Sequence, residues 1–182
     1  MNVLVIDGQG GGLGRQLVAA ISAACPEARL TAVGTNSLAT SAMLKAGTVR
    51  AATGENAVVV NCRTADVIVG PIGIVIADAL LGEITPAMAA AVCQSPARRV
   101  LVPINHCENI VVGVPDQPIG SWWRQQHKRS KNCAMVGFAE VIKKGDISGQ
   151  RCAPFLCKGE RYEGHRTGSE IVFCAFLYSA GF

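Results

Sequence analysis

The stretch that decides the fold is Val3-Leu4-Val5-Ile6-Asp7-Gly8-Gln9-Gly10-Gly11-Gly12-Leu13-Gly14-Arg15. Four apolar residues without alternation are typical of a strand that is buried on both faces of a parallel sheet. Five glycines follow within residues 8–14, and apolar residues then recur at helical spacing at positions 13, 17, 21 and 24. A strand, a glycine loop and a helix in immediate succession can bind phosphate, because backbone amides and the helix dipole face the anion.

Four further apolar runs predict strands at residues 30–33, 67–69, 100–102 and 110–112. Helical stretches lie between these runs, and the pair Thr85-Pro86 is a helix start. We interpret residues 51–61 as a helix that begins at Thr53 or Glu55, with a strand as the alternative for residues 58–60. The alternation predicts an α/β, doubly wound, mainly parallel five-stranded Rossmann-like sheet with the order 3-2-1-4-5.

Aromatic residues and charge are distributed unevenly along the 182 residues. All nine aromatic residues follow position 115, while residues 1–114 carry seven Lys or Arg against seven Asp or Glu. We therefore predict a Rossmann-like nucleotide-binding domain over residues 1–120 and an atypical tail over residues 121–182. The tail is interpreted as frameshifted or disordered; the alternatives are an extension peculiar to this chain and a metal-binding or nucleic-acid-binding module. Because the basic surplus lies only in this tail, it does not predict nucleic acid as a partner.

Cysteine usage and hydropathy indicate the compartment. The eight cysteines divide evenly around the composition break, and the N-terminus lacks the basic and apolar regions of a signal peptide. The longest apolar stretch, residues 67–81, is too short to span a bilayer and contains Pro71 and Asp78. These features predict a cytoplasmic protein with no membrane partner. If a frameshift near residue 121 has replaced an amphipathic C-terminal helix, apolar surface is left uncovered, and association into homo-oligomers or poor solubility is then expected.

The glycine spacing resembles that of a known cofactor loop. Gly8-x-x-x-Gly12-x-Gly14 is similar to the Thr-Gly-x-x-x-Gly-x-Gly loop of short-chain dehydrogenases/reductases, which binds NAD(P). The resemblance implies NAD(P) or another nucleotide as the cofactor. It departs at Asp7, and the tyrosine–lysine pair that serves catalysis in those enzymes has no counterpart in residues 1–114. The acidic residue expected after the second strand is also replaced by Gly34-Thr35-Asn36, so hydride transfer is not supported.

In open α/β sheets ligands bind beyond the carboxyl ends of the strands, and polar clusters follow several predicted strands here. The predicted ligand-binding residues are Gly8, Gln9, Gly10, Gly11, Gly12, Leu13, Gly14, Arg15, Thr35, Asn36, Gly70, Pro71, Ile72, Gly73 and Asn105. Asp7 and Glu55 are the acid/base candidates, because each adjoins glycine in a predicted loop. Asp78 and Glu83 are interpreted as solvated residues at helix ends. His106 and Cys107 supply too few ligands for a metal, so no metal site is predicted.

Four of these segments together resemble a second family. They are Asp7-Gly8-Gln9-Gly10-Gly11-Gly12, Gly34-Thr35-Asn36, Thr53-Gly54-Glu55-Asn56 and Gly70-Pro71-Ile72-Gly73. They are similar to short, uncharacterised bacterial proteins marked by the motifs DGQGGG and GTN. The resemblance implies a bacterial source and a compact α/β protein, and it brings no assigned activity.

Three functions follow as hypotheses. The first is binding of a nucleotide or another phosphorylated small molecule through the glycine loop, here defined as residues 8–14. The second is an enzyme that uses Glu55 or Asp7 as the acid or base on that ligand. The third is a regulatory or scaffold protein in which the glycine loop only packs a helix against a strand.

Overall fold

The computed structural model of the chain describes residues 1–47, 50–104, Val111 and 171–173. Strands and helices alternate through the first hundred residues, with one short 3-10 helix after the fourth strand. In chain order the elements are β1 (Asn2–Asp7), α1 (Gly12–Ala24), β2 (Arg29–Gly34), α2 (Ser37–Leu44), β3 (Arg50–Thr53), α3 (Glu55–Cys62), β4 (Val67–Pro71), the 3-10 helix (Ile72–Val75), α4 (Pro86–Gln94), β5 (Arg98–Val102) and β6 (Ile171–Phe173).

The strands form one parallel sheet in the order β3-β2-β1-β4-β5-β6. The predicted doubly wound α/β fold is confirmed, and the first five strands have the predicted order 3-2-1-4-5. One strand assignment was wrong: the run at residues 67–69 is the fourth strand, beside β1, and the third is Arg50–Thr53. The predicted helix within residues 51–61 is confirmed from Glu55 onward. Residues 110 and 112 of the last predicted strand, and the predicted domain division at residue 120, lie outside the described residues.

Alternating residues of the central strands build a separate apolar core on each face of the sheet. Val3 and Val5 of β1 face α1 and α2, where Leu17 and Met43 join the same cluster. The other face of the sheet packs against α3 and α4. Its buried residues include Leu4, Ile6, Val58, Ile68, Met88 and Val92. Because both faces are covered, residues 3–6 of β1 and the whole of β4 are apolar without alternation, as the sequence indicated.

The connections after β1, β2 and β4 all lie at the carboxyl edge of the sheet, since the strands are parallel. The amide of Thr35, just after β2, donates to the carbonyl of Asp7 at the end of β1, at 3.0 Å. The Gly54 amide donates in turn to the Gly34 carbonyl at 2.8 Å. The point between β1 and β4, where the direction of winding reverses, is the usual ligand position of this architecture. The glycine loop lies at that point.

Among the helices of the described residues, none is long and apolar enough to cross a membrane.

Candidate ligand site at the glycine loop

The glycine loop is a tight turn that leads directly into α1. The amide of Gly11 donates to the carbonyl of Gly8 at 2.9 Å, and Gly11 has the left-handed φ of 66° as the N-cap of α1. Gln9 also has a positive φ, of 50°, a conformation that non-glycine residues adopt infrequently. Because this N-cap residue is glycine, it has no side chain that could accept hydrogen bonds from the first amides of the helix. The loop therefore presents the amino end of α1 at the edge of the sheet.

Three glycines of the loop are required by the protein's own packing. A Cβ on Gly8 would lie 2.7 Å from Oε2 of Glu83, and one on Gly11 would lie 2.7 Å from the Cα of Ala39. A Cβ on Gly14 would lie 2.6 Å from the Cβ of Asp7. These contacts are closer than real Cβ atoms approach, so a larger residue at Gly11 or Gly14 would displace the loop, and one at Gly8 would displace the side chain of Glu83. Gly8, Gly11 and Gly14 thus have a structural explanation.

Gly10 and Gly12 have no such explanation. Within the described residues, a Cβ on either glycine would meet no atom within 4 Å, and neither glycine has a positive φ. Gly12 even begins a helix, where alanine is the better residue. In the described part of the chain the amides of Gly10, Gly12 and Leu13 also have no hydrogen-bond acceptor. Open space and unused donors therefore coincide on one side of the loop.

Asp7 lies beneath the loop and holds it to the helix. Its Oδ2 accepts a hydrogen bond of 2.6 Å from the Gly14 amide, and the side chain is 5% exposed. Burial raises the pKa of Asp7 to about 6, against the lowering effect of hydrogen bonds from Gly14 and Gly8. The negative charge of Glu83 adds a smaller increase. The Asp7 carboxylate therefore occupies one amide at the start of α1 and titrates close to neutral pH.

Glu83 is a site residue that the sequence interpretation missed. Its Oε2 accepts hydrogen bonds from the Gln9 amide at 2.8 Å, from Asn36 Nδ2 at 3.0 Å and from the hydroxyl of Thr35. Burial acts to raise the pKa of Glu83, but these donors together hold it below the ordinary value. The interpretation of Glu83 as a solvated helix-end residue was wrong, because the chain between β4 and α4 returns across the glycine loop.

A sequence signal for Glu83 existed. The predicted end of the strand near residue 70 and the predicted helix start at Thr85-Pro86 place everything between them at the carboxyl edge of the sheet. Asp78 and Glu83 are the two acidic residues of that connection. Asp78 is exposed, and it has a positive φ of 62°. The sequence does not show which of the two acidic residues reaches the glycine loop, because that depends on the path of the folded connection. Four residues of the connection have left-handed backbone conformations, namely Asp78, Leu80, Leu81 and Gly82.

Thr35 and Asn36 use their side chains to connect β2 and α2 to the loop. Asn36 Nδ2 donates to the carbonyl of Gln9 at 3.0 Å as well as to Glu83, while its Oδ1 accepts from the Ala39 amide at 2.8 Å. Asn36 thereby caps α2 and fixes the turn of the glycine loop. The hydroxyl of Thr35 donates to Glu83, which leaves its oxygen able to accept a further hydrogen bond.

The remaining predicted ligand-binding residues lie on β4, the 3-10 helix and α1, or outside the described residues. Gly70 lies against β1, since a Cβ there would be 2.5 Å from the carbonyl oxygen of Ile6. Pro71 ends β4 and is buried, and residues 72–73 begin the 3-10 helix beside it. Arg15 is exposed on the first turn of α1. Asn105 lies outside the described residues.

Glu55, the second acid/base candidate, contacts α4 and not the glycine loop. The Thr85 hydroxyl donates to Glu55 Oε2 at 2.5 Å and accepts from the Met88 amide at 3.1 Å. Glu55 thus connects the starts of α3 and α4, and it is exposed. The geometry gives it a structural role at the same edge of the sheet.

Comparison with known proteins gives a family and one weak structural likeness. The model of a domain family of unknown function, DUF3842, matches residues 2–134. No curated protein matches the chain. One similar solved structure is a probable oxidoreductase from Mycobacterium abscessus, with 19% identity and a TM-score of 0.39. The match covers 79% of this chain and 43% of that one, so the chain spans less than half of its length.

Proposed function

The chain belongs to the DUF3842 family of unknown function, and we propose that it binds a nucleotide or another phosphorylated small molecule through the glycine loop. The observation that carries the proposal is the coincidence of open space and unused amides at Gly10, Gly12 and Leu13. Amides at the start of a helix, with the positive end of its dipole, are a general means of holding phosphate. Glycine at positions 10 and 12 then lets an anion approach the backbone closely.

The alternative is a glycine loop that only packs α1 against the sheet. Packing accounts for Gly8, Gly11 and Gly14, whose side-chain positions are occupied by neighbouring atoms. It does not account for Gly10 or Gly12, because glycine at an unhindered position weakens a fold by increasing the freedom of the unfolded chain. A ligand supplies the missing reason for two such glycines in one loop whose amides are unpaired in the described part of the chain.

The substitution Gly12→Ala separates these two functions. Alanine should stabilise the ligand-free protein by about 0.5 to 1 kcal/mol, because the position is helical and the added methyl group meets no atom. The same methyl group would occupy the space through which an anion reaches the amides. We therefore expect tighter folding together with at least about tenfold weaker ligand binding.

Thermal unfolding of the full chain, followed by circular dichroism, provides the test. The probes are inorganic phosphate, ADP, ATP, NAD+ and NADP+, and a probe at 100 times its dissociation constant should stabilise the protein by about 2.7 kcal/mol. Ala19→Gly is the control, because it lies on the exposed side of the same helix and should destabilise without changing probe binding. If no probe raises the unfolding temperature, or if Gly12→Ala binds as tightly as the wild type, the proposal fails.

A further inference from the structure

Glu83 brings a carboxylate to a position where the sequence lacks one. In doubly wound sheets an acidic residue after the second strand commonly holds the hydroxyls of a ribose. Here that place is taken by Gly34, Thr35 and Asn36. Glu83 accepts hydrogen bonds from Thr35 and Asn36, which lie 48 and 47 residues earlier in the chain. A carboxylate from the β4–α4 connection therefore lies at the end of β2.

One carboxylate oxygen of Glu83 is held by the protein, and the other has no partner in the described part of the chain. All three hydrogen bonds, from Gln9, Thr35 and Asn36, reach Oε2. An ionised carboxylate accepts about four hydrogen bonds in all, so Oε1 retains its capacity. The residue is only partly buried, and Oε1 is therefore open to hydroxyl donors of a ligand.

The charge of Glu83 has no cation beside it among the described residues. No Lys or Arg within the described ranges forms an ion pair with it, and the charged group that acts on the neighbouring Asp7 is Glu83 itself. An uncompensated carboxylate attracts hydroxyl groups and repels phosphate groups. The loop therefore has two unlike ends, with free amides at Gly10 and Gly12 and a carboxylate at Gln9.

We propose that Glu83 determines ligand specificity by accepting hydrogen bonds from the ribose hydroxyls of a nucleoside diphosphate or dinucleotide. Its phosphates would lie on the free amides of Gly10, Gly12 and Leu13. The carboxylate selects a free 2′-hydroxyl over a 2′-phosphate or a 2′-deoxy sugar. This inference rests on the proposed function, and it adds the class of sugar that must accompany the phosphate.

The substitution Glu83→Gln tests the role of Oε1, the carboxylate oxygen without a partner in the described part of the chain. A glutamine can keep its amide oxygen on the donors from Gln9, Thr35 and Asn36, and it then presents an uncharged NH2 group where Oε1 was. The loop remains held while the acceptor and the charge are lost. Asp78→Asn is the matched control, since it removes one carboxylate from the same connection at an exposed position where asparagine tolerates the left-handed backbone.

Isothermal titration of the full chain with ADP, 2′-deoxy-ADP, NAD+, NADP+ and inorganic phosphate, in buffer containing EDTA, tests the assignment. The wild type and Asp78→Asn should bind ADP about tenfold tighter than 2′-deoxy-ADP, and NAD+ tighter than NADP+ by at least as much. In Glu83→Gln both ratios should approach one.

The other outcomes overturn the assignment in distinguishable ways. If phosphate or 2′-deoxy-ADP binds as well as ADP, the proposed function stands and the role of Glu83 is wrong. If the preference persists in Glu83→Gln, another residue determines it. If a preference exists only with Mg2+ in place of EDTA, the carboxylate serves a cation. If no probe binds, both proposals fail.

Discussion

Asp7→Asn should change the pH dependence of stability, because Asp7 carries a charge in a buried position. Burial raises its pKa from 3.8 to about 6 in the folded chain. The folded state therefore keeps a proton that the unfolded state loses between these two values. A shift of about two pH units corresponds to about 3 kcal/mol, at 1.36 kcal/mol per unit. This contribution is fully present below pH 3.8 and is lost as the pH rises through 6.

Asparagine has no proton to lose, so the comparison isolates this contribution. The free energy of unfolding of Asp7→Asn relative to the wild type should increase by about 2 to 3 kcal/mol between pH 4 and pH 8. The pH dependence is the measured quantity, since any fixed effect of the amide group is the same at every pH. The pKa of Glu83 is lowered in the folded chain, so its contribution to stability is present above the pKa of the unfolded state and is lost on acidification. Glu83 is present in both proteins, so this contribution cancels in the comparison.

Urea unfolding followed by circular dichroism, at intervals from pH 4 to pH 8, is the suitable assay. Circular dichroism is preferred to tryptophan fluorescence because it reports on the helices of the described fold, whereas Trp122 and Trp123 lie outside the described residues. Asp78→Asn, which removes an exposed carboxylate, is the charge-matched control. A difference between Asp7→Asn and the wild type that stays flat over this range, or that falls as the pH rises, would refute the buried charge at Asp7.

Two further predictions concern the neighbouring chemistry. NAD+, whose phosphate groups do not titrate near pH 6.5, should raise the pKa of Asp7 further when it binds at the Gly10 and Gly12 amides, so its binding at that pH should take up protons. Titration in buffers of different ionisation enthalpy should detect this uptake, and Asp7→Asn should abolish it. The buried Nη1 of Arg99 donates to the carbonyls of Val92, Cys93 and Ser95 at the end of α4. Arg99→Met should therefore lower the free energy of unfolding, measured in urea, by about 1 to 3 kcal/mol. An unchanged urea midpoint would show that these carbonyls need no donor.

The sequence predicted the parts of the fold that are encoded by local patterns. Uninterrupted apolar runs identified β1, β2, β4 and β5, and Thr85-Pro86 identified the start of α4, where Thr85 is the N-cap. The third strand was missed because Arg50–Thr53 lies at the edge of the sheet and is largely exposed. Such a strand needs no apolar run, because β2 is its one partner among the described strands and only Ala52 of its residues packs against a core.

The ligand site at the glycine loop stays a prediction, and the sequence interpretation missed the contacts of Glu83 with that loop for a physical reason. The glycine loop adjoins its strand in sequence, so a local motif contains it. Glu83 reaches the loop over 74 residues of chain, through left-handed residues that include two leucines, for which no sequence pattern gives a rule. The pattern also gave all five glycines one role, whereas the space around each of them divides the loop into packing positions and open positions.

The proposed anion site lies above a buried aspartate, and the raised pKa of Asp7 makes the two compatible. Asp7 occupies the Gly14 amide, and so it fixes the start of α1 when no ligand is present. Its charge opposes a second anion at Gly10 and Gly12, but a pKa of about 6 means that a proton can neutralise it at small cost near neutral pH. Binding of the anion and protonation of Asp7 then favour each other, and the affinity of the loop for phosphate should increase as the pH falls through 6. A carboxylate with an ordinary pKa at this position would repel the same ligand throughout the physiological range.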